Sequence, residues 1–268
     1  MKIGVVGNST RKENREILEQ FVAFLEKQGY ETVIFSTNRE IDGVDILIVL
    51  GGDGAILHAA TIAAQKRIKM IGINYGNLGF LAEYERPEAF EICEFLKKVE
   101  AGDCRILKRS LLELQLRGET HYALNEVALQ RYFDEKNPYE TQILKLHITV
   151  GDGSDDISGD GVLISTPTGS TAYSLSAGGA ILTPEVPAFL LTPICAFSMS
   201  KRPIVFPDSE EFKISVTHGK TLVLVDGRVV GYLSEGEELL ARKAPFAAEF
   251  PIRKETDFFR KIKNKLNK

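Results

Sequence analysis

The sequence predicts two architectures in one chain, a parallel-sheet α/β domain followed by a β-rich domain. Three observations carry that expectation. Up to about Gly102, short apolar runs alternate with stretches of helical periodicity, the pattern of a parallel sheet covered by helices. After about Asp103, β-prone runs follow one another with little helix between them. From Thr256 to Lys268 the helical spacing returns among lysines, which predicts a C-terminal helix docked on the first domain. The expected division is residues 1–102 with 254–268, and residues 103–253.

Each element follows from its local pattern. Ile3 to Val6 reads as a strand. Ile17, Leu18, Phe21, Phe24 and Leu25 recur at helical spacing between Asn14 and Gln28, with Gly29 placed for a C-terminal cap. Thr32 to Phe35, Ile46 to Leu50 and Met70 to Ile73 supply three more strands, and Ala55 to Gln65 a second helix. Pro87 and Glu88 open a third helix, with Phe90, Phe95, Leu96 and Val99 on its apolar side. In the second half, Leu111 to Leu116, Ala123 to Leu129, Leu144 to Val150, Phe212 to Val216 and Thr221 to Val225 read as strands, and Gly151 to Asp156 as a hairpin tip. Phe258, Phe259, Ile262 and Leu266 mark the tail helix.

Composition excludes several classes of function. A chain of 268 residues, 44% hydrophobic and 26% charged, is long and apolar enough to bury a sizeable core and is not disordered. Its formal charge of -4 argues against a nucleic-acid partner, which would be bound through an excess of Lys and Arg. The opening Met1 to Val6 runs straight into a strand with no signal-peptide pattern, and the longest apolar stretches, Ile46 to Leu50 and Ala188 to Met199, are too short to span a bilayer. No membrane partner and a cytoplasmic location are therefore expected. Cys93, Cys104 and Cys195 form no CxxC pair, which predicts small buried hydrophobes rather than a disulfide framework or a zinc site. His58, His121, His147 and His218 show no ligand spacing, so no protein-held metal is expected.

The sharpest local feature is Gly51-Gly52-Asp53-Gly54, directly after the apolar run Ile46 to Leu50. A strand, a glycine turn and a helix start make an anion site, because glycines admit a phosphate to the backbone and the helix N-terminus favours negative charge. A carboxylate in such a loop repels the phosphates it invites. Asp53 therefore needs a different role, either taking a proton from an attacking hydroxyl or holding a magnesium ion between phosphates. The plain alternative is a tight turn with a helix-capping Asp. Neither a GxxxxGK[ST] phosphate loop nor a complete GxGxxG occurs, and Gly4-Val5-Val6-Gly7-Asn8-Ser9 is only half a dinucleotide fingerprint.

A second constellation runs from Asp160 to Gly179 and is dense in hydroxyls. Ser and Thr around a glycine turn can bond ribose hydroxyls or base edges, and Tyr173 can stack or donate; the plain alternative is a strand followed by a capped helix. Asn125-Glu126, at the head of an apolar strand, offers an amide to an adenine edge and a carboxylate to sugar hydroxyls, or is simply surface polarity.

Taken in order, Gly51 to Gly54, Gly72 to Leu81, Asn125-Glu126, Asp160 to Gly179 and Asp226-Gly227 resemble the NAD kinase family over nearly the whole chain. The resemblance implies a Rossmann-like α/β domain, then a β-rich domain, with the C-terminal helix returning to the first. It implies ATP and NAD as substrates, a divalent metal such as Mg2+, and a homo-oligomer, dimer or tetramer. It makes Asp53 the catalytic carboxylate and puts Gly51, Gly52, Gly54, Phe80 and Leu81 at the dinucleotide site. Asn125, Glu126, Asp160, Thr168, Thr171, Ala172, Tyr173, Ser176 and Asp226 would contact the adenosine or nicotinamide halves. The implied reaction moves a phosphoryl group from ATP to the adenosine ribose 2′-hydroxyl of NAD, with both substrates expected between the domains. The rivals are a kinase of a lipid or sugar alcohol with the same glycine loop, and a dinucleotide sensor without turnover. Two positions depart from the family pattern: Ala55, where many members carry Thr, and Ser158, where many carry Arg.

Overall fold

The structure, a computed structural model, describes residues 1–7, 12–75, 79–133 and 143–266, and the side chains of 12–14 and 39 are not among those described. Asn8 and Ser9 of the opening fingerprint, and Gly76, Asn77 and Leu78 of the second motif, lie outside the described residues. The chain forms two compact units, one of residues 1–108 with 246–268 and one of residues 109–245.

The first unit begins with strand β1 (Lys2–Gly7), helix α1 (Lys12–Lys27), β2 (Glu31–Phe35), β3 (Ile46–Leu50), α2 (Asp53–Gln65), β4 (Lys69–Asn74), β5 (Tyr84–Glu85) and α3 (Ala89–Glu100). Its sheet has the order β2-β1-β3-β4-β5 and every pairing is parallel. The parallel arrangement explains why Ile46 to Leu50 carries no polar residue, since a central strand covered on both faces has no wet side. Leu18, Phe21, Val22 and Leu25 of α1 pack with Ile3, Val5, Ile46 and Ile48 in one core. Gly29 follows α1 at φ +89, the left-handed cap that its position after the apolar run predicts. Helix α2 starts at Asp53 rather than Ala55, because Gly52, extended at φ -76 and ψ 178, serves as its N-cap. Asp53 thus stands in the first helical turn and not within the turn before it. The buried face of α2 is mostly Ala59, Ala60, Ala63 and Ala64, small side chains that let the helix lie close to the sheet.

Among its described residues the second unit is built of strands apart from a single 3-10 turn at Gly169–Thr171 and one short helix. Its strands are β6 (Arg105–Leu116), β7 (Glu119–Ala123), β8 (Glu126–Arg131), β9 (Leu144–Val150), β10 (Gly153–Gly159) and β11 (Gly161–Ser165), then the four-residue helix α4 (Tyr173–Ser176), then β12 (Ala188–Ile194), β13 (Ile204–Pro207), β14 (Phe212–His218), β15 (Lys220–Val225), β16 (Arg228–Ser234) and β17 (Glu238–Ile252). The unit boundary falls inside β6 and β17. The antiparallel sheets have orders β10-β9-β14-β17-β6-β7 and β13-β12-β11-β8-β15-β16. Alternate residues of both, such as Leu112, Leu114, Ile148 and Phe212 from one and Val127, Val162, Phe189 and Val223 from the other, share a single core.

Three local readings are corrected. The expected strand Ala123 to Leu129 is broken at Leu124-Asn125, where the backbone leaves β7 and enters β8. Only Gly151 and Asp152 turn the β9/β10 hairpin, in which Val150 pairs with Gly153, so Ser154 to Asp156 belong to the strand. Cys93 is buried but Cys195 is exposed, at a left-handed φ of +45, so the cysteines are not uniformly core residues.

The last helix, α5 (Phe258–Leu266), belongs to the first unit. Phe259 and Leu266, two of the apolar residues that mark it in sequence, are exposed. The inward face instead carries Phe258, Lys261 and Lys265, spaced three and four residues apart.

Candidate active site

In the first unit, functional geometry centres on the Asp53 carboxylate. Its Oδ2 accepts the Phe80 N–H at 2.7 Å and its Oδ1 the Leu81 N–H at 3.1 Å. Charge-assisted bonds of this kind are worth about 1.5–3 kcal/mol each, enough to fix one rotamer. A Cβ on Gly79 would lie 2.0 Å from Asp53 Oδ1, so the chain can approach the carboxylate this closely only with glycine there. The side chain remains about one-third exposed. Lys265 of α5 brings its Nζ to 3.4 Å from Asp53 Oδ2 and to 4.0 Å from the centre of the Phe80 ring. Phe80 and Leu81 are themselves buried, so their visible contribution is the backbone amides that hold Asp53.

Gly52 and Gly54 present a different case. Both are exposed, neither has a left-handed φ, and among the described residues a Cβ on either would meet nothing within 4 Å. Gly51 is tied to the sheet, its N–H donating to the Ile73 carbonyl at 2.8 Å, and its missing Cβ makes room for Ala55. The helix that follows leaves its first N–H groups without intrahelical acceptors.

In the second unit, Asp226 organises the break between β7 and β8. It occupies a two-residue β15/β16 turn with Gly227, both at left-handed φ of +48 and +76. Its Oδ2 accepts the Leu124 N–H at 2.9 Å, and its Oδ1 accepts those of Asn125 at 2.8 Å and Glu126 at 3.2 Å. Burial pushes the Asp226 carboxyl up, against the pull of those three amides. Glu126 is buried at the head of β8. Burial first, and the neighbouring Asp226 charge second, push its carboxyl up to about 8, opposed by the Tyr173 backbone amide. Burial thus raises both carboxyls of the pair, and on Asp226 the three amide donors oppose that rise.

The hydroxyl-rich stretch lies beside these groups. Asn125 is joined to it by its carbonyl, which accepts the Thr166 N–H at 2.9 Å, and by Gly169, where a Cβ would sit 2.0 Å from the same oxygen. Several hydroxyls fold the loop itself. Thr166 Oγ1 donates to the Leu124 carbonyl, Ser170 Oγ to the Pro167 carbonyl, and Ser174 Oγ bonds Thr192 Oγ1. Thr168 Oγ1 accepts from the buried Arg109 Nη1 at 3.1 Å, Thr171 Oγ1 donates to the Thr168 carbonyl, and the Tyr173 hydroxyl accepts from Gln130 Nε2 at 2.8 Å. Asp160 pairs with Arg131 at 2.9 Å. Ala172 is half-buried and Ser176 exposed. The structure thus groups Gly51 to Gly54, Phe80 and Leu81 in one unit, and Asn125, Glu126, Asp160, Thr168, Thr171, Ala172, Tyr173, Ser176 and Asp226 in the other.

Sequence reasoning passed over Lys265, Arg109, Gln130 and Arg131. Lysine among lysines in a tail and arginines inside β-prone runs carry no local signal, because their partners lie 212, 59, 43 and 29 positions away. Among the described residues, no three His, Cys, Asp or Glu side chains are grouped to hold a metal, and no helix is long and apolar enough to cross a membrane.

An oriented carboxylate on a strand, glycine turn and helix start, joined in sequence to a β-sandwich, defines the class: a two-unit nucleotide-dependent phosphotransferase. Comparison with known proteins narrows this. Residues 6–103 match the model of the ATP-NAD kinase N-terminal domain and residues 124–251 that of the ATP-NAD kinase C-terminal domain. The NAD kinase of Methanothermobacter thermautotrophicus is 34% identical over 99% of this chain and 96% of its own. Two crystal structures are similar, each at 25% identity over the whole chain. One is yeast NADH kinase complexed with NADH (TM-score 0.85, 87% of its length), the other an NAD kinase from Archaeoglobus fulgidus in complex with ATP (TM-score 0.79, 99% of its length). The chain belongs to the ATP-NAD kinase family.

Proposed function

We propose that this chain transfers the γ-phosphoryl group of ATP to the adenosine ribose 2′-hydroxyl of NAD, giving NADP and ADP, with Asp53 as the catalytic carboxylate. The observation that carries the assignment of Asp53 is its partly exposed carboxylate, held in one orientation by two backbone amides at the start of α2. The ribose 2′-oxygen attacks the γ-phosphorus in line, the bond to the ADP oxygen breaks, and the hydroxyl proton passes to Asp53. Because such transition states are usually loose, the carboxylate contributes chiefly by orienting the hydroxyl. The open sides of Gly52 and Gly54 support Gly51 to Gly54 as the phosphate loop, since nothing among the described residues requires glycine at those two places. Phe80 and Leu81 would line the same site.

Asn125, Glu126, Asp160, Thr168, Thr171, Ala172, Tyr173, Ser176 and Asp226 are proposed to contact the two halves of the dinucleotide. A protonated Glu126 would act there as a donor as well as an acceptor. A divalent metal such as magnesium would supply charge neutralisation at the β- and γ-phosphates. We place the enzyme in the cytoplasm, where its unpaired cysteines stay reduced. We also read it as a homo-oligomer, dimer or tetramer, supported by the exposed Ile204 and Val205 on the edge strand β13 and by exposed Phe197 and Met199.

The test is a coupled assay of purified protein with ATP, magnesium and NAD, read through an NADP-specific dehydrogenase. NADP formation is expected. Phosphorylation of a lipid or sugar alcohol instead, or NAD binding without product, overturns the reading. Asp53→Asn should abolish turnover while NAD still binds, and full activity in that variant removes Asp53 from the mechanism.

A further inference from the structure

The C-terminal helix grips the segment that orients Asp53. The Phe258 ring lies 6.4 Å from that of Phe80, Lys261 Nζ donates to the Ala82 carbonyl at 2.7 Å, and Lys265 stands over Phe80. The approach to α5 is pinned by buried Glu83, whose Oε1 accepts the Arg253 N–H at 2.9 Å and the Thr256 hydroxyl, and whose carbonyl accepts Arg253 Nη2 at 3.1 Å. Chain positions 80–83 are therefore held from one side by α5 while two of their amides hold Asp53 on the other.

Lys265 is the α5 side chain that reaches past that segment to the carboxylate. Its Nζ is 3.4 Å from Oδ2, the same oxygen that takes the Phe80 amide. With Oδ1 bonded to Leu81, each oxygen has one backbone donor among the described residues, and the Lys265 charge adds a further one on the Oδ2 side. A carboxylate oxygen accepts about two hydrogen bonds, so among the described residues the remaining acceptor position is on Oδ1.

We propose that Lys265 is a positioning residue for phosphoryl transfer: by occupying the Oδ2 side of Asp53 it leaves Oδ1 as the atom that accepts the hydrogen of the acceptor hydroxyl. The inference rests on the reading of Asp53 given above. The ammonium suits this position because it stands 4.0 Å from the centre of the Phe80 ring, which lends a cation–π attraction. It also places the C-terminal helix, remote in sequence, inside the catalytic apparatus.

The test uses Lys265→Met, which keeps an apolar stem for the Phe80 ring, and Lys265→Arg, which keeps the charge. For Lys265→Met, kcat should fall on the order of tenfold while KM for NAD and for ATP and the melting temperature stay close to those of the parent. Lys265→Arg should recover most of the loss, since a guanidinium can stack on the same ring and reach the same oxygen. An unchanged kcat in Lys265→Met overturns the proposal. So does a raised KM for ATP at constant kcat, which would make Lys265 a phosphate-binding residue, and so does a loss that tracks a lowered melting temperature in both variants, which would make it a structural brace. Asp53→Asn is measured alongside. Full activity there defeats the reading of Asp53 itself, whereas an inactive Asp53→Asn with a parent-like Lys265→Met defeats the Lys265 proposal alone.

Discussion

Glu126→Gln should stabilise the second unit in alkaline solution and leave it nearly unchanged in acid. Folding raises the Glu126 carboxyl from its ordinary 4.5 to about 8. Between those values the folded chain keeps a proton that the unfolded chain has released, so stability falls as pH rises through that window and is level above it. Each pH unit of such a window is worth about 1.36 kcal/mol, which sets an upper bound of about 5 kcal/mol. Rotation of the carboxyl toward solvent and water entry reduce this, and a gain of roughly 2–3 kcal/mol at pH 9 is expected for the isosteric amide. At roughly 2–4 °C per kcal/mol for a unit of this size, the second unit of the variant should melt about 4–12 °C above the parent at pH 9. Near pH 4.5 the two should coincide within about 2 °C. The assay is differential scanning calorimetry of both proteins across pH 4.5 to 9. A difference that does not grow with pH, or a variant that is less stable at pH 9, refutes the claim that Glu126 is buried as the neutral acid.

Other outcomes follow from the same geometry. Gly79→Ala drives a methyl group to 2.0 Å from Asp53 Oδ1, so kcat should fall at least tenfold, measured by NADP formation. Gly52→Ala and Gly54→Ala meet no atom of the described residues and should melt like the parent while KM for ATP rises, and an unchanged KM removes them from the phosphate site. Gly169→Ala places its Cβ 2.0 Å from a backbone oxygen that cannot swing away, which should cost about 3 kcal/mol or more in denaturant unfolding. Asp226→Asn keeps the left-handed turn but turns an N–H donor toward amides that need acceptors, and a loss of about 1–3 kcal/mol is expected in the same experiment.

The fold was legible where one-dimensional pattern and burial coincide. Ile46 to Leu50 announces a strand covered on both faces, and the parallel sheet then follows because helices must separate its strands. The two-unit α/β and β organisation, and the return of the last helix to the first unit, were also open to reading. Less legible were the places where a tertiary contact overrides local preference. Ala123 to Leu129 has the apolar content of one strand, yet three consecutive amides at Leu124, Asn125 and Glu126 turn to Asp226, a hundred residues away, instead of to a neighbouring strand. In α5 the exposed Phe259 and Leu266 advertise a face that is not the docked one, because the contacts are made by Lys261, Lys265 and Phe258. A lysine that packs by its stem and bonds by its tip carries no hydrophobic signature.

Glycine shows most plainly why the site was only partly readable. The sequence writes Gly52, Gly79 and Gly169 with the same letter, but the causes differ: a side chain at Gly79 would strike a carboxylate, one at Gly169 a backbone carbonyl, and one at Gly52 nothing among the described residues. The first two are demanded by the chain itself, so their loss should be felt without any substrate present. The two anchored aspartates separate in the same way. Asp53 and Asp226 each accept consecutive backbone amides, a device that holds a carboxylate still wherever it occurs. What distinguishes them is their surroundings. Asp53 is partly open and faces Lys265. Asp226 closes a hairpin beside the buried Glu126, with its two oxygens engaged by three backbone amides. The two aspartates thus share one anchoring motif, and exposure and the neighbouring charge are what set Asp53 apart as the proposed catalytic carboxylate.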